Sequence, residues 1–286
     1  MSIRSIADPR DRRAAVVAAA QHATYTEDVD YVHGSPHLSH AALRSWLIGR
    51  LGRLVGEAFD RVGRCRVLEV GGGHGKLTAE LAATGASVTV TEMSGASARV
   101  MRERFRHNPQ VSVLHDPTGE AVFALDGQFE IVLCISVLHH IPDYLGFVGA
   151  LVEMVSPGGA FASYQDPDWY PRRATLDAAA DRGAYFAWRL AQGDLIAGAR
   201  TRVRRLQGRY DTDLSADMTE YHVVRRGVNE RVLLRHLLRD FVWLEEHRYW
   251  STQSGVLQRA GERLDCRNTF AIEATARRAL PGVDPA

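Results

Sequence analysis

Two hydrophobic periods alternate along this chain. Ser35-Pro36 predicts a helix start, with serine as N-cap and proline at the first helical position. Leu43, Leu47, Leu51, Leu54, Val55 and Phe59 then recur at helical spacing, which predicts one helix running to about Phe59 with a single buried face. Ahead of it, Met1 to Arg13 is polar and Arg-rich, and Ala14 to His22 reads as a short helix. From Arg66 the alternation becomes regular. Val67 to Val70, Ser87 to Thr91, Val111 to Leu114, Glu130 to Ile135 and Ala160 to Tyr164 read as strands. Leu77 to Ala83, Gly95 to His107 and Tyr144 to Val155 read as the helices between them, with a short helix before Glu130 and a turn at Pro157-Gly158-Gly159. Strands separated by helices of this length must pair in parallel through right-handed crossovers. The predicted fold class is therefore α/β, a doubly wound Rossmann-like sheet whose ligands sit at the C-terminal ends of the strands.

Composition narrows the setting without changing the fold. At 286 residues, 45% apolar and 24% charged, the chain suits one large α/β domain with an insertion or two small domains. A net charge of +1 supplies no global field for nucleic acid or an anionic membrane. Of its 35 basic residues only Lys76 is a lysine, so any one arginine cluster carries little information. Cys65, Cys134 and Cys266 are far apart and read as reduced thiols of a cytoplasmic protein, not as a disulfide or zinc framework. The chain opens on no signal peptide and holds no apolar run of about 18 residues, so a soluble protein is expected.

The candidate chemistry starts at the first strand. Val67-Leu68-Glu69-Val70 runs into Gly71-Gly72-Gly73-His74-Gly75, and a helix follows. Bare backbone N–H groups and a helix N-terminus converge there without a Cβ in the way. A dinucleotide fingerprint would need glycine at position 76, where Lys76 stands; Gly71, Gly73 and Gly75 instead suit a ligand lacking a pyrophosphate. Glu92 ends the second strand about 20 residues further on, where such sheets put the carboxylate that takes the ribose hydroxyls. Asp116, in His115-Asp116-Pro117, is either an adenine-amino acceptor or the head of an Asx-Pro turn. Glu69 is an acid in a buried stretch and needs partners, from loop N–H groups or a ligand's ammonium.

These stretches, with Val88 to Met93, Phe129 to Val132 leading to Ser136-Val137-Leu138-His139-His140-Ile141-Pro142-Asp143, and Val155-Ser156-Pro157-Gly158-Gly159, resemble the successive motifs of the class I S-adenosylmethionine-dependent methyltransferases. The resemblance covers about Arg66 to Tyr164. It implies a seven-stranded, mostly parallel sheet whose last two strands, at Phe241 to Tyr249 and Thr269 to Ala274, form an antiparallel hairpin. It also implies S-adenosyl-L-methionine as cofactor and S-adenosyl-L-homocysteine as product. Gly71, Gly72, Gly73, Ile135 and Ser136 would then face the methionine end, Glu92 the ribose, Met93 the adenine face and Asp116 the adenine amino group. Glu69, Gly75 and His115 complete the cofactor set.

Methyl transfer demands alignment and, for a hydroxyl acceptor, removal of a proton. His139 and His140 lie where the fourth strand meets its loop, and Asp166 and Asp168 follow the fifth strand. A His140 to Asp166 contact would orient an imidazole as base; Tyr164 is a further candidate donor, with Trp169-Tyr170 as an aromatic wall. The competing reading is that both histidines only shape the pocket. His37 and His40, placed on one helix face, lack a carboxylate or cysteine at ligand spacing, so no metal site is expected.

The expected organisation is an N-terminal helical lid over 1–62, a cofactor-binding core over 63–168, a helical cap inserted after the fifth strand over 169–228, and the rest of the core over 229–286. The cap holds aromatics such as Tyr185, Phe186 and Trp188 and five arginines between Arg200 and Arg209, followed by Tyr221-His222 and Arg225-Arg226. Asn229 to Asp240 reads as a helix burying Val232, Leu233 and Leu237. An enclosing cap favours a compact organic substrate with an oxygen or nitrogen acceptor over carbon. Two alternatives stay open: an RNA or other nucleic-acid methyltransferase using the arginine-rich cap, and a non-catalytic nucleoside-binding member of the fold. A homodimer is open too.

Overall fold

The computed structural model of the chain describes residues 35–191 and 227–279. The expected helix at 14–22, His33, the cap's Arg200 to Arg209 run, Tyr221-His222, the Arg225-Arg226 pair and the tail at 281–286 lie outside the described residues.

Seven strands form one sheet: β1 (Arg66–Val70), β2 (Ser87–Glu92), β3 (Val111–His115), β4 (Phe129–Ile135), β5 (Val155–Pro167), β6 (Phe241–Tyr249) and β7 (Thr269–Arg277). Their order is β3-β2-β1-β4-β5-β7-β6. The pairs from β3 through to β5 are parallel, while β7 runs antiparallel to both β5 and β6. The chain leaves β3 at one edge and re-enters at β4 beside β1, so a crevice opens where the β1 and β4 loops diverge.

Helices cover both faces. On one lie α1 (Pro36–Ser39), α2 (Ala41–Val62), α3 (Lys76–Ala83) and α4 (Gly95–Phe105). Leu47, Leu51 and Leu54 of α2 pack there with Leu81, Met101 and the inward side of the strands. On the other lie α5 (Tyr144–Glu153) and α7 (Glu230–Leu237), with Val148, Leu151, Leu233 and Leu237 against Leu68, Val132 and Ile272. Each such leucine contributes about 1.5–3 kcal/mol by leaving water. Two more helices, α6 (Thr175–Ala191) and α8 (Gly255–Arg263), follow β5 and β6.

Four local expectations are corrected. The helix begun at Pro36 does not run through: His40, at φ −90° and ψ 117°, breaks it into α1 and α2. Its imidazole Nε2 lies 2.6 Å from the Thr252 carbonyl, which holds the break against the loop after β6 and takes His40 off the helical face expected of it. Val232 is exposed, because α7 turns Leu233 and Leu237 inward while Glu230 is buried beside the backbone of Trp169. Strand β5 starts at Val155, ahead of the Pro-Gly-Gly stretch: Val155 pairs with Phe129 and Ala160 with Ile131, so the glycines bulge within the strand. At its other end β5 continues to Pro167 through a second irregularity between Ser163 and Asp166, where Gln165 takes φ +64°.

Candidate active site

Gly71 to Gly75, Glu69, Glu92, Asp116, Asp166 and Asp168 all lie toward the C-terminal edge of the parallel strands. The β1 loop is built to come close to its neighbours. Gly71, Gly73 and Gly75 all have positive φ, and a Cβ on Gly71 would stand 2.7 Å from the Val137 side chain of the β4 loop. On Gly72 a Cβ would meet Val90 at 2.3 Å, so the loop must lie flat on β2. Glu92 fastens it there: Gly73 N–H donates to Oε2 and Ser94 N–H to Oε1, both at 2.8 Å. Burial pushes the Glu92 carboxyl up, opposed by N–H groups of Ser94, Gly73 and Met93. The carboxylate's remaining acceptor capacity faces a ligand's hydroxyl.

Glu69 is buried and accepts from the Thr78 hydroxyl at 2.6 Å. Burial raises its carboxyl to about 7, against the Thr78 hydrogen bond and with help from the charge of Glu92. A carboxyl held near neutrality at the floor of a glycine cradle is suited to an ammonium ligand, which would favour its ionised form.

Asp116 is occupied differently from the adenine role expected of it. Its Oδ1 accepts from Gly119 and Ala121 N–H at 2.9 and 3.0 Å, and its Oδ2 from Val122 N–H at 3.0 Å. Three backbone amides make it the organiser of the 116–122 loop, which is the Asx-turn alternative. That loop brings Gly119 beside Met93: a Cβ on Gly119 would sit 4.0 Å from the Met93 methyl. His115 ends β3 opposite Glu92, and its buried Nε2 has no hydrogen-bond partner among the described residues. Glycine cradle, Glu92, Met93 and this orphaned nitrogen together fit a nucleoside bearing an amino-acid tail.

Across the crevice, Ile135 is buried at the end of β4, and Ser136 takes φ +60° as its N–H donates to the Tyr164 carbonyl at 2.8 Å. A 3-10 turn, Leu138–His140, follows. Here the expected pairing is corrected: His139, not His140, meets Asp166. The His139 Nδ1 lies 2.8 Å from Asp166 Oδ1, and the His139 backbone N–H donates to the same oxygen at 3.0 Å. The Ser163 hydroxyl donates to Oδ2 at 2.7 Å. Asp166 is fully buried, so its proton partner is the Nδ1–H tautomer of His139 and the ring's lone pair falls on Nε2. The His140 ring, half-buried, lies 3.9 Å from that of His139.

Tyr164 is not a donor to this site. It is fully buried on the α2 side, where its hydroxyl donates to Glu273 Oε1 at 2.6 Å and its ring meets Trp46 edge-on at 6.0 Å. Burial and the charge of Glu273 push its hydroxyl far up. Arg50 and Arg53 of α2 close the same cluster on Glu273. Asp168 is likewise spoken for, paired with Arg173 at 2.8 Å and Arg248 at 2.7 Å. Arg172 and Arg173 stack over Trp169 and Tyr170, which stiffens the expected aromatic wall.

Two more residues belong to this end of the sheet, one unnoticed in the sequence and one weighed there only as a metal ligand. Gln165 ties β5 to the hairpin: its N–H donates to the Tyr249 hydroxyl at 3.0 Å and its side chain to the Ser251 hydroxyl at 2.6 Å. A broken period-2 pattern at Tyr164-Gln165-Asp166 was the available signal. The other is His37, buried on α1 within the field of His139. No group of metal ligands occurs among the described residues, and no described helix is long and apolar enough to cross a membrane. A cavity of about 360 Å³ between Arg102, Phe105, His107 and Val113 lies on the β3 side, away from these groups.

Residues 68–161 match the family model described as a methyltransferase domain. Over 95 residues the chain is 37% identical to a ubiquinone biosynthesis O-methyltransferase of Aromatoleum aromaticum, which covers 33% of this chain and 41% of that one. Over 111 residues it is 32% identical to the protein of the same name from Escherichia coli O127:H6, covering 38% and 46%. The chain thus spans less than half the length of the curated relatives it matches. The solved N-methyltransferase NodS from Bradyrhizobium japonicum WM9, in complex with S-adenosyl-L-homocysteine, shares the fold at a TM-score of 0.52 and 14% identity, over 93% of this chain and 100% of that one.

Proposed function

We propose, from the match of residues 68–161 to the methyltransferase-domain model, that the chain methylates a small organic molecule at oxygen or nitrogen. S-adenosyl-L-methionine, when bound, supplies a methyl group on a sulfonium and leaves as S-adenosyl-L-homocysteine once the carbon–sulfur electron pair stays on sulfur. Gly71 to Gly75 and Glu69 would hold its amino-acid end, Glu92 its ribose, and Met93, His115 and the loop built by Asp116 its base. Support comes from the relatives named as O-methyltransferases and from the cradle that a Cβ at Gly71 or Gly72 would fill.

The observation that carries the acceptor chemistry is the His139–Asp166 pair. Asp166 fixes the ring and its tautomer, so His139 Nε2 takes the proton of a hydroxyl while another lone pair of that oxygen bonds to the methyl carbon. An amine acceptor is already nucleophilic when neutral and has less need of such a pair, which tilts the reading toward oxygen. Incubating the full chain with methyl-labelled S-adenosylmethionine and separate sets of phenols, aliphatic alcohols, amines and RNA tests this. Label in a small hydroxyl compound or amine is the expected result; label only in RNA, or in nothing while the cofactor binds, would favour one of the two alternatives.

A further inference from the structure

His37 is buried at 7% exposure on a four-residue helix, yet its Nδ1 has no hydrogen-bond partner among the described residues. A buried polar atom left unpaired is costly, and folds keep one where a ligand completes it. Its place explains which ligand. Burial first, and then the nearby His139, lower the His37 imidazole to about 4. His139 is itself fastened to Asp166, and the His40 break, hydrogen-bonded to Thr252, holds α1 in position over this end of the sheet.

Resting on the methyltransferase reading, we infer that His37 is an acceptor-binding residue: its neutral Nδ1–H donates to the hydroxyl oxygen whose proton passes to His139 Nε2. The two imidazoles divide the work. His139, oriented by a buried carboxylate, takes the proton; His37, desolvated by burial, stays neutral and can only hydrogen-bond. No bond is made or broken at His37. It orients the oxygen so that the lone pair not engaged by either histidine faces the methyl donor, and it supports the charge that develops as the proton leaves. Helix α1 therefore carries part of the acceptor site.

The test uses the full chain, labelled with 15N-histidine and saturated with S-adenosyl-L-homocysteine, with phenol as the hydroxyl probe. The His37 signals are identified by their loss in His37→Leu. They are expected to report a neutral ring with its proton on Nδ1 at every pH from about 5 upward, and to shift as phenol is added. Phenol affinity should fall at least about tenfold in His37→Leu and less than about threefold in His37→Asn, whose amide can donate from the same place. Affinity for S-adenosyl-L-homocysteine should stay within about twofold in both variants, which shows that they are folded. Phenol bound equally well by wild type and His37→Leu, phenol that fails to bind, or saturation with phenol that leaves the His37 signals unmoved would overturn the inference. Loss of S-adenosyl-L-homocysteine binding by the wild type would instead overturn the function it rests on.

Discussion

Asp166 receives two hydrogen bonds from His139, one at the ring Nδ1 and one from the backbone N–H, on the same carboxylate oxygen. The double contact fixes the ring's tautomer and the turn that carries it in one step. Asp166→Asn would keep the shape and lose the charge, leaving His139 free to take the wrong tautomer. Turnover of the hydroxyl compound identified by methyl labelling should drop at least about 100-fold. Affinity for S-adenosyl-L-homocysteine should change little. Normal turnover would reduce His139 to a pocket wall.

Tyr164 offers the opposite expectation. Its hydroxyl serves Glu273, which Arg50 and Arg53 also reach, so it links α2 to β7 and not to the acceptor. Tyr164→Phe should lower stability by about 1–2 kcal/mol in urea unfolding, through one lost hydrogen bond to a charged group. Turnover should stay within about threefold of wild type, since no reacting atom is touched. A loss of 100-fold or so in rate with unchanged stability would return Tyr164 to the catalytic set.

Glu69 predicts a pH dependence of stability. Its folded carboxyl titrates at about 7 against 4.5 for the ordinary value, because burial outweighs the Thr78 hydrogen bond and the Glu92 charge adds to it. Between those values the native protein holds a proton that the unfolded chain has released, so stability falls as pH rises. The contribution is fully present below the unfolded value and is lost through the folded one. Urea midpoints of the ligand-free protein should therefore drop between about pH 5 and pH 8 by more in wild type than in Glu69→Gln. Equal drops would mean that Glu69 is ionised throughout.

Much of this arrangement was legible before any coordinates. Short β-branched runs between helical periods leave parallel pairing as the only solution, and the spacing of Gly71, Gly73 and Gly75 excluded the dinucleotide cradle that position 76 would have required. The choice between His139 and His140 was not legible. In a 3-10 turn successive side chains point about 120° apart, and two identical residues in sequence carry no phase. Tyr164 was misplaced because its position at the end of the expected strand, just ahead of Asp166, does not show which face it takes. The irregularity at Gln165, with φ +64°, lets Ser163 and Asp166 meet, three positions apart, where an unbroken strand would put them on opposite faces. His37 was read with His40 on one helix face because no propensity marks the break at His40: the carbonyl that holds it belongs to Thr252, more than 200 residues away in the chain.

The most direct measurement is calorimetric titration of S-adenosyl-L-homocysteine into the wild-type chain and into Glu92→Ala. Glu92 both receives the loop amide of Gly73 and faces the ribose in the proposed arrangement, so its loss removes ligand contacts and loosens the cradle. The account predicts one binding site in the wild type and affinity weakened at least about tenfold, or about 1.4 kcal/mol, in the variant. Unchanged affinity in Glu92→Ala, or no binding by the wild type, would contradict it.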